Sequence, residues 1–384
     1  MRLILALTLG LPLCFAATAW TEDGLTATAV TVGQAAPLDG PAKGLGTGMN
    51  LGLQAAFAEA NAAGGIGGRK IELVALNDGY DPDKCVEATG QLIEDKKVFN
   101  LIGYVGTPTA KVAIPIVQEL KVPLVGLFTG TGLARKPELR YVVNVRASYD
   151  QETEVLVEHL VNDLGAKRIA VFFQNDAFGQ AGLSGTEKAL AKRSMTLAAK
   201  ASFERNTVAV KAGLADLIAA TPDAVVVVGP YKPVAAFAKE ANTAGFKPAL
   251  ATVSFVGTNN LINEGGTEVE GMTIAQVVPS PGDPSLPVVK AYQEALAKVD
   301  PTAKPSYVSL EGYLTGKVWL YAFAAAGASP TRESLLDALE GMQKVDLGGF
   351  VINFDKGVRQ GSQSVWLTQI KGGEAKQVGK LSPR

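Results

Sequence analysis

Two loops rich in glycine and threonine hold the residues of this sequence that are best suited to bind a small anion. Residues 100–105 and 122–128 are short apolar runs, each followed by glycine and threonine, and the segment between them has a helical pattern. Hydroxyl groups and the free N–H groups at the start of a helix bind carboxylates and phosphates. The pattern therefore indicates an anion site and leaves both kinds of anion open.

The spacing of the glycines argues against phosphate. The segment "GYVGTPTA" lacks the G-x-x-x-x-G-K-[ST] spacing of a P-loop, and "GLGTGMNLG" lacks a G-x-G-x-x-G register directly after a strand. Neither threonine loop contains a cation before Lys111, which lies inside the helix. The sequence therefore favours a small carboxylate as the ligand.

The residues that usually carry catalysis are scarce. His159 is the sole histidine, it lies within a helical pattern, and no G-x-S-x-G elbow accompanies it. Cys85 has neither a histidine nor a basic cluster near it in sequence, and Asp78, Asp81 and Asp83 lack the spacing of a calcium loop. We predict no catalytic residue, no metal site and no cofactor, so we expect a protein that is not an enzyme.

Strands and helices alternate through most of the chain. A first series precedes Tyr149, and a second series, with the strand "DAVVVVGP" at its centre, follows it. Such alternation predicts an α/β fold with parallel sheets covered by helices. Near the C-terminus, "DKG" predicts a turn between two alternating runs. Two α/β units predict a bilobed protein whose ligand lies in a cleft at the carboxyl ends of the strands.

The N-terminus predicts export. A positive charge at Arg2 precedes an uncharged apolar run, and Ala17-Thr18-Ala19 fits a signal-peptidase site, so residues 1–19 are predicted to be a cleavable signal peptide. A membrane anchor is disfavoured because the run is too short to span a bilayer. The formal net charge of −1, without a basic block, excludes nucleic acid as a partner. We expect a periplasmic protein.

The chain resembles the periplasmic solute-binding proteins of ABC transporters, in particular the branched-chain amino acid (Leu/Ile/Val)-binding class with the type I fold. The resemblance rests on "ANAAGGIGGRKIELVALNDGYDP", "LIGYVGTPTA", "VPLVGLFTGTGLAR", "VVNVRASYDQET", "RIAVFFQNDAFGQAGL", "VVVVGPYKP", "KEANTAGFK" and "SYVSLEGYLTGKVWLYAFAAAG". It implies two Rossmann-like lobes joined by a three-stranded hinge near residues 145–148, 276–278 and 361–364. The N-terminal lobe would comprise residues 28–147 and 278–361, and the C-terminal lobe residues 148–277 and 362–384.

The resemblance also implies which residues line the ligand cleft. In the family, the carboxylate of the ligand is held by hydroxyl and N–H groups of two loops of the first lobe, and aromatic side chains of both lobes cover it. The matching positions in this sequence are Thr107, Phe128, Thr129, Gly130, Phe178, Tyr231, Leu45 and Tyr307, with Tyr149 just past the first crossing. Each aromatic residue has the alternative of ordinary packing between the lobes.

One position departs from the pattern of the family. Members that bind α-amino acids often place an acid of the second lobe on the ammonium group, whereas Ser254 stands there in this chain. A buried ammonium group needs a carboxylate partner. Either Asp150, Glu152 or Glu311 takes that role, or the ligand has no amine. The disulfide of some members is also missing, since Tyr80 and Gly106 occupy its positions.

The resemblance implies that the lobes close on a small carboxylate-bearing ligand, an amino acid or an aromatic or other organic acid, which an ABC-type permease in the inner membrane then receives. The alternative is a periplasmic sensor that signals to a membrane receptor or kinase. A hydrolase or dehydrogenase on an α/β scaffold has little support. We expect a monomer.

Overall fold

The computed structural model describes residues 22–355 and 357–383, so the predicted signal peptide lies outside the described residues. In these two ranges, no helix combines the length and the apolar character needed to cross a membrane.

The first lobe is built on a parallel sheet with the strand order β2-β1-β3-β4-β5. Each strand of this sheet pairs with its neighbours in parallel, as the alternation of strands and helices predicted. The strands are β1 (Ala29–Ala36), β2 (Lys70–Asn77), β3 (Asn100–Ile102), β4 (Leu124–Val125) and β5 (Val142–Val143).

The second lobe is built on a sheet with the strand order β14-β13-β10-β9-β8-β6-β7. Strand β13 pairs antiparallel with both of its neighbours, β10 and β14, and the remaining neighbours pair in parallel. All five side chains of β8 are buried, as a central strand covered by helices on both faces requires. The strands are β6 (Ile169–Gln174), β7 (Ala199–Phe203), β8 (Ala224–Val228), β9 (Ala249–Thr252), β10 (Thr273–Gln276), β13 (Trp366–Lys371) and β14 (Glu374–Gln377), and a separate ribbon pairs β11 (Val345–Asp346) with β12 (Val351–Ile352).

Helices cover both sheets. In the first lobe α1 packs along α10 at close range, because a Cβ atom on Gly52 would lie 2.0 Å from the carbonyl oxygen of Ser309. The helices are α1 (Lys43–Ala62), α2 (Pro82–Gly90), α3 (Thr107–Glu119), α4 (Tyr149–Asn162), α5 (Ala177–Ala191), α6 (Lys211–Ala220), α7 (Tyr231–Thr243), α8 (Thr258–Gly265), α9 (Pro287–Val299), α10 (Tyr307–Ala325) and α11 (Arg332–Glu340).

Segments of the hinge region run side by side. Asn144 forms a parallel bridge with Gln360, and the amide of Gly361 donates to the carbonyl of Asn144 at 2.8 Å. At the predicted turn, the amide of Val358 donates to the carbonyl of Asp355 at 2.8 Å, and the strand before it, β12, pairs with β11. A hairpin lies further on, between β13 and β14. The residue limits predicted for the two lobes stay a prediction.

The two sheets present their carboxyl ends to each other. Thr107 and Thr129 follow β3 and β4 of the first lobe, and Tyr231 and Ser254 follow β8 and β9 of the second lobe. Tyr231 accepts a hydrogen bond from the amide of Gly44 on α1, so residues at these ends meet across the cleft. The cleft therefore lies where parallel sheets usually bind ligands.

Candidate functional site

The hydroxyl groups of the two threonine loops lie in contact. Thr107 is the first residue of α3, and the residue before it, Gly106, has a φ of 107° that favours glycine and provides no side-chain cap. The Oγ1 atoms of Thr107 and Thr129 are 2.7 Å apart, and Thr129 donates to the hydroxyl of Tyr149 at 3.4 Å. Both threonines are fully buried, so the structure brings together the hydroxyls predicted to hold an anion.

The rest of the second threonine loop differs from the expectation. The amide of Phe128 donates to the carbonyl of Tyr104, and the amide of Thr129 donates to that of Leu127, so neither amide is free for a ligand. Phe128 therefore contributes its aromatic ring to the site, and not its amide. Gly130 is needed for space, because a Cβ atom there would lie 2.5 Å from the ring of Tyr149.

A buried guanidinium group lies beside the threonines. The Cζ atom of Arg146 is 5.3 Å from the ring centroid of Phe128 and 5.8 Å from that of Tyr149. Nη2 of Arg146 donates to Glu152 at 2.7 Å and to the hydroxyl of Ser254. Burial lowers the pKa of Arg146, but its carboxylate neighbours raise it above the usual range, so the group is cationic. Its buried Nε–H has no acceptor among the described residues.

Two of the three predicted ammonium partners flank this arginine. Glu152 is fully paired, because one carboxylate oxygen accepts from Arg146 and the other from the amide of Ser254 at 2.7 Å. Glu311 on α10 receives only longer contacts, of 3.3 and 3.5 Å, from Nη1 of Arg146. Burial raises the pKa of Glu152, and it raises the pKa of Glu311 to about 7 even though Arg146 opposes the shift.

The third predicted ammonium partner lies elsewhere. Asp150 is 52% exposed and pairs with Nζ of Lys188 at 2.7 Å. It lines a cavity of about 540 Å³ at the edge of the cleft. Residues two apart on a helix point to opposite sides, so α4 cannot direct both Asp150 and Glu152 into the interior. Asp150 is therefore not part of the buried charge cluster.

Aromatic rings from both lobes meet next to the polar groups. Phe255, on the loop after β9, lies 4.5 Å from Phe178, 5.3 Å from Phe128 and 5.9 Å from Tyr80, measured between ring centroids. Phe178 also contacts Tyr149 at 5.3 Å. The cluster supplies a continuous apolar wall across the cleft, beside the threonine hydroxyls.

The remaining predicted residues lie at the interface of the lobes. Leu45 contacts the backbone of the second lobe, since a Cβ atom on Gly257 would lie 2.5 Å from Cδ2 of Leu45. Tyr231 contacts α1 through its hydroxyl. Tyr307 lines a separate cavity of about 420 Å³, and its amide donates to the side chain of Asn259 at 3.3 Å. Tyr307 lies one helical turn before Glu311, on the same side of α10.

Sequence reasoning missed several residues of this site. They are Arg146 and Phe255, described above, and also Tyr80, Gln174 and Arg135. Nε2 of Gln174 donates to the hydroxyl of Tyr80 across the cleft at 3.2 Å. The guanidinium of Arg135 donates to backbone carbonyls on both sides of the site, those of Thr129 and Arg146 among them. The sequence does contain an indication for Arg146, because it is the one charged residue in the apolar and polar run "YVVNVRASY".

The residues considered for catalysis lie outside the cleft cluster. His159 is partly exposed and pairs through Nδ1 with Asp163 at 2.7 Å. Cys85 is fully buried, and burial raises the pKa of its thiol above the usual range, which keeps it protonated. Among the described residues, no group of three or more histidine, cysteine, aspartate or glutamate side chains is arranged to hold a metal ion.

Comparison with known proteins places this architecture among characterised folds. A structure described as a possible leucine/isoleucine/valine-binding protein from Rhodopirellula baltica superposes with a TM-score of 0.88 at 34% identity, covering 94% of this chain and 98% of that one. A substrate-binding periplasmic protein from Ralstonia solanacearum superposes with a TM-score of 0.86 at 30% identity, covering 91% of this chain and all of that one.

Sequence comparison agrees with the structural one. The Leu/Ile/Val-binding protein BraC3 of Rhizobium johnstonii is 32% identical over 163 residues, which are 42% of this chain and 43% of that protein, so this alignment spans less than half of the relative. The sequence model of the family described as periplasmic binding protein matches residues 29–375, nearly the whole described chain. The chain therefore belongs to the periplasmic binding protein family.

Proposed function

We propose that this protein is an extracytoplasmic solute-binding protein that captures a small carboxylate-bearing ligand between its lobes and delivers it to an ABC-type permease. The observation that carries the proposal is the group of buried polar atoms at the centre of the cleft, where Thr107, Thr129, Tyr149 and Arg146 meet. Of these polar atoms, the buried Nε of Arg146 lacks a hydrogen-bond partner, and such groups are uncommon in proteins unless a ligand or water satisfies them.

The carboxylate of the ligand would lie against the start of α3. The positive end of the helix and the unpaired Nε–H of Arg146 suit a carboxylate, and the two threonine hydroxyls, which bond each other and Tyr149 in this structure, would turn towards it. Phosphate fits less well, because Arg146 already shares its charge with two glutamates. This arrangement supports an amino acid or an aromatic or other organic acid as the ligand.

The apolar part of the ligand would lie against the aromatic wall formed by Phe128, Phe178 and Phe255. These rings come from both lobes, so the wall exists only when the lobes are closed. Closure would bury the ligand and create the surface that a permease recognises. Binding followed by release needs no covalent chemistry, in keeping with the positions of His159 and Cys85.

Thermal unfolding of the mature chain against a ligand panel tests this proposal. The panel contains aliphatic and aromatic α-amino acids and the matched carboxylic acids without the amine. A ligand at 100 times its dissociation constant adds about 2.7 kcal/mol to the stability of the folded state, which raises the melting temperature measurably. If no member of either class raises the melting temperature at millimolar concentration, the proposed class of ligand is wrong.

A further inference from the structure

The turn that follows β2 is held in an unusual conformation at the edge of the cleft. Its central residues, Gly79 and Tyr80, have φ values of 57° and 60°. A bulky residue rarely adopts a positive φ, so the surrounding structure must hold Tyr80 in place. Oδ1 of Asp78 accepts a hydrogen bond from the amide of Tyr80 at 2.8 Å, and the carbonyl of Asp78 accepts from the amide of Asp81 at 2.9 Å. Asp78 therefore positions the backbone of Tyr80.

The ring of Tyr80 has a fixed place in the first lobe. It lies against Gly106, the residue before Thr107, because a Cβ atom on Gly106 would be 2.2 Å from Cε2 of Tyr80. The side chain is fully buried. A substitution that keeps the ring and removes only the hydroxyl should therefore leave the packing of the first lobe intact.

Groups of the second lobe contact this turn. Nε2 of Gln174, at the end of β6, donates to the hydroxyl of Tyr80 at 3.2 Å, and the ring centroid of Phe255 lies 5.9 Å from that of Tyr80. Beside them, the side-chain amide of Asn206 donates to the carbonyl of Gly79 at 3.4 Å. All three contacts join one lobe to the other, so they exist only when the lobes are closed.

The bond between Tyr80 and Gln174 joins two neutral groups. Burial raises the pKa of the Tyr80 hydroxyl well above its usual range, and the charge of Asp176 adds to this shift, so the hydroxyl stays protonated. Opening of the lobes would exchange this hydrogen bond for bonds to water. Such an exchange favours the bonded form by a modest amount, which suits a contact that must form and break in each cycle of binding.

We propose that Tyr80 is a latch: its contacts with Gln174 and Phe255 hold the lobes closed in a fraction of the ligand-free molecules, and they thereby raise the affinity for every ligand that the cleft accepts. The effect on affinity rests on the proposed function, whereas the closure of the ligand-free protein does not. A ligand that binds the closed form gains from any contact that increases the population of that form. Tyr80 acts through closure and needs no contact with the ligand.

Double electron–electron resonance between two spin labels tests the latch without a ligand. The labels are attached to Glu87→Cys on α2 and Asp216→Cys on α6, which are exposed positions in different lobes, and the buried Cys85 stays unlabelled. Refolding from urea before labelling removes bound solute. We expect a closed and an open population, and we expect Tyr80→Phe to lower the ratio of closed to open molecules by about two- to tenfold.

Tyr321→Phe is the matched control for this measurement, because it removes a half-exposed hydroxyl on α10 and should leave the ratio unchanged. A wild type with an open population alone, or the same ratio in the wild type and Tyr80→Phe, would overturn the proposal.

A double-mutant cycle identifies the partner of the hydroxyl. Gln174→Leu should also lower the ratio of closed to open molecules, and Tyr80→Phe/Gln174→Leu should lower it by less than the product of the two single effects. Two effects that multiply in full would show that the hydroxyl and Gln174 act independently, and the latch would then be refuted.

Calorimetric titration tests the effect on affinity. The probes are L-leucine with 4-methylpentanoate and L-phenylalanine with 3-phenylpropanoate. Tyr80→Phe should weaken the binding of each probe that binds by the same factor, of up to about tenfold, because the latch acts on closure. An unchanged affinity, or a loss restricted to one member of a pair, would contradict the latch. If no probe binds, the proposed class of ligand fails, and the distance measurement still decides whether Tyr80 holds the lobes closed.

Discussion

Arg146→Met is the substitution whose effect on stability follows most directly from the structure. Methionine keeps much of the apolar volume of the side chain between Phe128 and Tyr149 but removes the charge. Glu152 and Glu311 would then lose the cation that both contact directly, and Arg135 would remain as the buried cation that acts on them from a greater distance. Removing one partner of a buried ion pair costs about 3–5 kcal/mol, so we expect a loss of that size in the free energy of unfolding at pH 8.

The loss in the free energy of unfolding of Arg146→Met should depend on pH. Burial already raises the pKa of both carboxyl groups in the folded protein, and the loss of Arg146 raises it further. An acid with a raised pKa in the folded state favours folding at low pH and loses that contribution as the pH rises. The deficit of Arg146→Met should therefore be smaller at pH 5.5 than at pH 8.

Equilibrium unfolding in urea, followed by circular dichroism at both pH values, measures this deficit. Arg193→Met serves as the control, because Arg193 pairs with the partly exposed Glu154 and its loss should cost about 1 kcal/mol or less. The double variant Arg146→Met/Glu311→Gln should recover part of the loss. If Arg146→Met costs less than about 1 kcal/mol at pH 8, the account of the buried charge cluster is wrong.

Three further substitutions or treatments probe separate parts of the structure. Thr107→Val should weaken ligand binding by about 1–3 kcal/mol in a calorimetric titration, whereas Thr47→Val, which removes an exposed hydroxyl, should leave the affinity unchanged. Burial raises the pKa of Asp78 from 3.8 to about 7, so the free energy of unfolding falls as the pH rises between these values. In urea unfolding, Asp78→Asn should show a weaker fall, and at pH 8 its free energy of unfolding should exceed that of the wild type by up to about 4 kcal/mol. The buried thiol of Cys85 should react with a thiol reagent only after unfolding, and rapid labelling of the native protein would contradict its burial.

The sheets could be predicted from the sequence because each strand is indicated by a local pattern of apolar residues. The apolar run 224–228 has no alternation, which is typical of a strand covered on both faces, and the structure places it inside the second sheet, between β9 and β6. The C-terminal ribbon was predicted as alternating runs around a turn, without the partners of its strands. Alternation shows that a segment is a strand and does not show its partner, so the pairing of β12 with β11 could not be read from the run itself.

The threonine part of the site was predictable because it depends on loops that follow strands. Thr107 and Thr129 each follow a predicted strand, and parallel strands bring such positions to the same edge of a sheet. The bonds of Arg146 to Glu152 and Glu311 join segments as far apart as 165 residues, and no local pattern specifies such contacts. The same limit hid Phe255, whose ring contacts come from both lobes.

A crystal structure of the mature chain with the panel member that raises its melting temperature most tests the central claim directly. We predict that the ligand lies between the lobes, with its carboxylate within hydrogen-bonding distance of the hydroxyls of Thr107 and Thr129. A ligand bound outside the cleft, or one inside it whose carboxylate contacts neither threonine, would contradict the account.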